Sequence, residues 1–127
     1  MQRSRPDSEA LVAVDLFAGG GGLTVGLKRA GFSVVGAVET ERHAIATYNA
    51  NHPEVHVFNQ DISTIKGEHL LGLSPNGGLD LLAGCPPCQG FTSLTSKYKR
   101  RDPRNDLVRE MGRLIVDPEV KTIFRRQ

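Results

Sequence analysis

Leu11 to Phe32 read LVAVDLFAGGGGLTVGLKRAGF. Leu11 to Phe17 form an apolar run broken only by Asp15, which is the length and composition of a buried strand. Four consecutive glycines, Gly19 to Gly22, come next. Beyond them Leu23, Gly26, Leu27 and Ala30 recur at helical spacing before Gly31, so one glycine loop opens a helix and another glycine closes it. A flexible linker would not sit between an apolar strand and an amphipathic helix. Glycines at such a corner permit a tight turn and let backbone N–H groups at the helix N-terminus approach an anionic group of a ligand. A G-x-G-x-x-G frame starting at Gly19 or Gly20 would need glycine where the chain has Thr24 or Val25, and no G-x-x-x-x-G-K-[ST] occurs. Pyrophosphate and triphosphate ligands therefore lose ground.

The same alternation continues outward. Phe32 to Val38 is a second apolar run, followed by a predicted helix from Glu41 to Asn51 that His52-Pro53 stops. Val55 to Phe58 reads as a short third strand leading to Asp61, and the turn-rich Ser74-Pro75-Asn76-Gly77-Gly78 precedes a fourth strand, Leu79 to Ala83. Leu107, Met111, Leu114 and Ile115 carry helical spacing over Asp106 to Val116, and Asp117 to Gln127 shows no clear element. Strands alternating with helices predict an α/β fold with a mostly parallel sheet and flanking helices, because parallel neighbours need a crossover. Residues 1–9, polar and proline-containing, read as a flexible arm, and 10–127 as one folded unit.

Composition narrows the class. The chain has 127 residues, 39% hydrophobic and 24% charged, as in an ordinary globular domain. Its formal net charge of +2 is too small to argue nucleic-acid binding unless the basic residues cluster. No apolar run approaches the ~18 residues of a membrane span, so no membrane partner is expected. Two cysteines imply no disulfide framework, and a reducing setting is the default: cytoplasmic, nucleoid-associated in a bacterium or nuclear in a eukaryote.

Ligands of a parallel sheet bind beyond the carboxyl ends of its strands. Gly19 to Gly22, Glu39, Asp61 and Cys88 are all predicted there. Glu39 lies at the spacing from the glycine loop, ~20 residues, at which an acidic side chain accepts from a ribose diol. Asp61 at the next strand end is placed to take an adenine amino group, and together the pair points to an adenosine ligand. Each carboxylate alone would also serve as a helix cap or a solvated charge.

Gly84 to Ser93 read GCPPCQGFTS. Pro86 and Pro87 leave the backbone ahead of Cys88 little freedom, which suits a nucleophile that must be held in an aligned pose. Cys85 and Cys88 also form a C-x-x-C, so a thiol-disulfide oxidoreductase stays open. A zinc site lacks a second ligand pair, and His43, His52, His56 and His69 are scattered as surface or capping residues, so no metal is expected.

Taken in order, DLFAGGGGLTVGLKRAGF at Asp15 to Phe32, Glu39, NQDI ending at Ile62, GCPPCQGFT, and DPRNDLVRE at Asp102 to Glu110 resemble the cytosine-C5 DNA methyltransferases. The resemblance covers nearly the whole chain, and the cysteine motif is highly specific. It implies a Rossmann-like methyltransferase fold with S-adenosyl-L-methionine as cofactor. Phe17 would pack on the adenine side, and Gly19 and Gly22 would admit the methionine moiety. Glu39 would hold the ribose, Asp61 and Ile62 the adenine, and Ala18, Gly20, Thr40, Pro87 and Leu107 would line the same site. Cys88 would be the nucleophile. Its thiolate would add to cytosine C6 and make C5 able to attack the methyl group, splitting one difficult step into easier ones. The base, unreachable inside a duplex, would be flipped out.

DNA containing a cytosine target is the implied partner. Gln89 and Ser93 of the cysteine motif, with the basic run Lys97, Lys99, Arg100, Arg101 and Arg104, would meet it, the cations on phosphates. A solvated charged loop is the plain alternative for that run. Thr92 stands where DNA enzymes of the family usually carry serine, as in its tRNA-methylating branch, so an RNA substrate stays open. The family's later motifs, an ENV glutamate, an arginine motif, a recognition region and a returning C-terminal segment, have no counterpart in the sequence. The resemblance therefore implies a truncated catalytic domain, inactive alone, in a restriction-modification setting. A non-catalytic cofactor-binding fragment, or a split-enzyme subunit completed by a second chain, is the alternative.

Overall fold

A computed structural model of the chain describes residues 10–74, 78–86 and 105–117. Four strands form one sheet: β1 (Leu11–Leu16), β2 (Phe32–Glu39), β3 (His56–Asn59) and β4 (Leu81–Gly84), in the order β3-β2-β1-β4. All three pairings are parallel. The order reverses at β1: β2 lies on one side of it and β4 on the other. Such a switch point leaves a crevice between the loops leaving the two central strands.

β1 is central and buried on both faces, which is why its sequence is a continuous apolar run instead of an alternating one. Val12, Val14 and Leu16 face one core with Val38, Ile62, Ile65, Leu70, Leu79 and Leu114. Ala13 faces the other with Ala18, Leu27, Val34, Ala37, Tyr48 and Val55. The second core is covered by α1 (Gly22–Arg29) and α2 (Arg42–Asn51), and the first by a single 3-10 turn (Ile62–Thr64), α3 (Gly67–Leu71) and α4 (Asn105–Val116).

Local chemistry sets the boundaries. Gly31, at φ 94°, ends α1, and Lys28 and Arg29 complement the helix dipole in its last turn. Glu41 caps α2 by accepting from the amides of His43 and Ala44. His52, at the other end of α2, is 4% exposed, so it is a buried cap and not a surface residue.

Some expectations shift. The third strand starts one residue later and reaches Asn59. The fourth begins at Leu81 because Asp80 turns its side chain onto the Val12 amide at 2.7 Å while its own amide donates to the Val12 carbonyl. α3, with only five residues, carries too short a period to be seen in sequence. Ile115 does not join the core: it is 51% exposed, and Leu107, Met111 and Leu114 make the inward face of α4. Among the described residues no helix is long and apolar enough to cross a membrane.

Candidate functional site

A small cleft opens at the carboxyl ends of β1, β2 and β3. The turn after β1 contributes Phe17. The end of β2 contributes Val38, Glu39 and Thr40, the turn after β3 contributes Gln60, Asp61 and Ile62, and α4 brings Leu107 across the top. Six residues singled out in the sequence, Phe17, Glu39, Thr40, Asp61, Ile62 and Leu107, thus meet in one place. Val38 and Gln60 also line it without having been singled out, although Gln60 stands in the NQDI stretch.

The glycine loop bends by left-handed backbone. Phe17 has φ 55°, Gly19 55° and Gly21 101°. A non-glycine residue in that region is strained by about 1–3 kcal/mol, and such residues cluster at functional sites. Here the strain turns the Phe17 ring, which the apolar run alone would leave in the sheet, to the cleft. The loop is tied from outside as well. The Ala18 amide donates to the Val38 carbonyl at 3.0 Å, and the Gly19 amide donates to Glu39 Oε1 at 2.8 Å. Glu39 Oε2 accepts from the amides of Thr40 and Glu41 at 2.8 and 2.9 Å. One carboxylate therefore folds the β2–α2 turn and the glycine loop around itself, with lone pairs remaining for a ligand.

Beneath the loop lies a polar cluster that no motif announced. The Thr24 hydroxyl donates to Asp15 Oδ2 at 2.7 Å and lies 2.8 Å from the Tyr48 hydroxyl. Burial pushes the Asp15 carboxyl above its ordinary value, against the Thr24 hydroxyl and backbone, which pull it down. Burial likewise pushes the Tyr48 phenol up to about 12. Lys28 Nζ contacts His52 Nδ1 at 2.7 Å and pairs with Glu54. The His52 ring packs on Tyr48 with centroids 4.9 Å apart. Asp15 Oδ1 and His52 Nε2 are buried without hydrogen-bond partners among the described residues.

On the opposite wall Asp61 caps the 3-10 turn, accepting from the Ser63 amide at 2.8 Å. That hydrogen bond holds its carboxyl below the ordinary value. The turn is locked to α4 by Arg113, whose Nη2 donates to the carbonyls of Ile62 and Ile65 at 3.0 and 2.9 Å while Nε pairs with Glu110 at 2.6 Å. The helix that carries Leu107 is thereby fixed to the turn that carries Asp61 and Ile62.

β4 brings the start of the cysteine motif to the same end of the sheet. Gly84 pairs with Leu16, and a Cβ at Gly84 would lie 2.9 Å from the Leu16 carbonyl oxygen. Only glycine lets the two strand ends come this close. Cys85 follows, exposed. Cys88, Pro87, Gln89, Ser93, Lys97, Lys99, Arg100, Arg101 and Arg104 lie outside the described residues. Among the described residues no three His, Cys, Asp or Glu side chains gather to hold a metal.

A parallel sheet with a switch point at β1, a glycine corner and acidic side chains at successive strand ends define an α/β fold of the methyltransferase type. The family model for C-5 cytosine-specific DNA methylases matches residues 11–124, and the chain belongs to that family. It is 41% identical over 109 residues to the type II methyltransferase M1.HphI of Haemophilus parahaemolyticus, covering 84% of this chain and 29% of that protein. It is 40% identical over 117 residues to M.PspPI of Psychrobacter sp. (strain TA137), covering 92% and 27%. Among solved structures, a prophage-encoded E. coli protein described as a DNA modification methyltransferase superposes with a TM-score of 0.70 at 39% identity, covering 84% of this chain and 28% of that one. The chain thus spans less than a third of the length of these relatives.

Proposed function

We propose that this chain is the cofactor-binding and nucleophile-bearing part of a DNA cytosine-C5 methyltransferase of the restriction-modification type. The observation that carries the reading is the meeting of Phe17, Glu39, Asp61, Ile62 and Leu107 around one cleft at the switch point of a parallel sheet.

The residues fit S-adenosyl-L-methionine. Phe17, Ile62 and Leu107 supply apolar walls for a flat adenine, and Asp61 keeps acceptor capacity for its amino group. Glu39, already fixed by three amides, offers a preorganised acceptor to the ribose hydroxyls. Ala18, Gly19, Gly20 and Gly22 form a corner without bulky side chains for the methionine end, and Thr40 and Pro87 complete the lining in this reading. The bound cofactor supplies an electrophilic methyl group.

The remaining chemistry belongs to the chain. Cys88 is the nucleophile toward cytosine C6, and the Pro86-Pro87 pair ahead of it in sequence leaves its backbone little freedom. A free thiol has a pKa near ~8.5, so attack requires surroundings that favour the thiolate. Gln89 and Ser93, with Lys97, Lys99, Arg100, Arg101 and Arg104, contact the nucleic acid, the cations giving affinity without sequence information. Cytosine in DNA is the substrate in this reading, in the cytoplasmic setting where such enzymes meet DNA.

Covalent trapping tests the proposal. The chain is mixed with a second polypeptide bearing the family's ENV, arginine and recognition motifs, on DNA containing 5-fluorocytosine, whose blocked C5 elimination leaves the enzyme attached. An adduct mapped to Cys88 and lost in Cys88→Ser is the expected result. An adduct that survives Cys88→Ser contradicts it.

A further inference from the structure

We propose that the buried chain Asp15–Thr24–Tyr48 is a positioning anchor for the glycine loop, fixing where that loop meets the cofactor; the second half of this statement rests on the cofactor reading above. None of the three side chains lines the cleft. Asp15 is 1% exposed, Thr24 and Tyr48 0%. Water therefore does not compete for their hydrogen bonds.

The placement is what a loop anchor requires. Asp15 is near the end of β1 and Thr24 lies in the first turn of α1, so the 2.7 Å bond between them closes the whole glycine corner from below. Its direction is fixed by chemistry. A carboxylate only accepts, so the Thr24 hydroxyl donates to Asp15 and its oxygen is left to accept the Tyr48 proton. Polarity thus runs one way, from α2 through α1 to β1.

The helix supplies a second reason. α1 is preceded by Gly21 at its N-cap, which offers no side-chain cap, and has no acidic residue in its first turn. Asp15, reaching up from the strand below, provides the negative charge that a helix N-terminus favours. The third reason is cost. A buried carboxylate, with one oxygen unpartnered among the described residues, often adds no more stability than an apolar filling of the same shape. Packing alone would be served by a leucine or a valine. A loop whose backbone is left-handed at Phe17, Gly19 and Gly21 does not hold its shape by local preference, so directional ties are what keep it.

Lys28, His52 and Glu54 extend the cluster at the rim. His52 buttresses the loop sterically, since a Cβ at Gly21 would sit 2.7 Å from its ring. Lys28 Nζ lies 2.7 Å from His52 Nδ1 and ties α1 to the end of α2.

The test compares Thr24→Val, which keeps the shape and loses the hydroxyl, with Thr24→Ser, which keeps the hydroxyl, and with Tyr48→Phe. Two quantities are read on the 127-residue chain: hydrogen exchange at the amides from Gly19 to Val25, and affinity for S-adenosylhomocysteine by titration calorimetry. The anchor predicts that Thr24→Val speeds exchange and weakens affinity by about tenfold each, as expected for losing a buried bond to a charged group. Thr24→Ser stays within about twofold of the parent, and Tyr48→Phe falls between, because it removes only the outer link. A folded Thr24→Val that matches the parent in both measurements overturns the proposal, as does a Thr24→Ser that loses as much as valine does. Should Thr24→Val not fold, Tyr48→Phe decides, and parental exchange and affinity in that variant overturn the anchor. A parent that binds no S-adenosylhomocysteine removes the cofactor reading, while the exchange pattern still decides whether the loop is anchored here.

Discussion

The Gly19 amide and Glu39 Oε1 are joined at 2.8 Å, twenty residues apart in sequence. This bond ties the corner after β1 to the end of β2, so the side chain proposed to receive the ribose is also the one that fixes the loop proposed to receive the methionine end. Both halves of the site share one carboxylate, and a change there is felt on both sides.

Gly21 and Gly20 separate conformational need from available space. Gly21 has φ 101°, and a Cβ there would meet His52 at 2.7 and 2.8 Å and Tyr48 at 3.1 Å. At Gly20 the nearest atom would be Thr47 Cγ2 at 3.5 Å, an ordinary contact. Gly21→Ala is expected to lower unfolding stability in urea by about 1–3 kcal/mol or more, whereas Gly20→Ala stays within about 1 kcal/mol of the parent because it also restricts the unfolded chain.

Arg113 is the link between α4 and the Ile62–Ile65 segment. Arg113→Met leaves two carbonyls without their donor, and a loss of about 1–3 kcal/mol is expected in urea unfolding. Arg113→Lys recovers only part of this, since an ammonium is a single point charge and not a fork that reaches two carbonyls and Glu110 together. Full recovery by lysine would show that charge, and not geometry, makes the link.

Asp15 gives stability an unusual pH slope. Its folded-state pKa is raised above the ordinary 3.8, chiefly by burial, so the unfolded chain ionises first as pH rises. Between the two values the folded state holds more protons, and stability falls with rising pH. Asp61, whose pKa is lowered by the Ser63 amide, acts in the opposite sense: its contribution is present above its ordinary 3.8 and is lost as pH falls through the lower folded value. The difference between the parent and Asp15→Asn, measured by urea unfolding, isolates the first effect. The parent should lose stability relative to the variant as pH rises from about 4, and a flat difference would place the Asp15 carboxylate in better-solvated surroundings than its 1% exposure implies.

Much of this architecture is legible in the sequence because it depends on period and punctuation. The apolar run at Leu11, the glycine corner and Gly31 mark β1, its loop and α1, and Glu39 and Asp61 fall at strand ends as their spacing predicts. What escapes is set by contacts distant in sequence. Asp80 delays β4 by bonding Val12, Arg113 reaches carbonyls across 51 and 48 residues, and Thr24 looks like one polar residue on a helix until Asp15 and Tyr48 are seen around it. Phe17 reads as the last residue of a strand, and nothing in the apolar pattern tells that its backbone is left-handed. The proposed nucleophile Cys88 and the basic run beyond it, singled out from the GCPPCQGFTS motif and its flank, lie outside the described residues.

Titration calorimetry of S-adenosylhomocysteine into the chain and into Glu39→Ala tests the central claim most directly. The account predicts saturable binding to the parent and a loss of at least about tenfold in the variant, since removing Glu39 takes away charged hydrogen-bond acceptors for the ribose and frees the loop. Equal heats from parent and variant, or tight binding of NAD in place of S-adenosylhomocysteine, would contradict it.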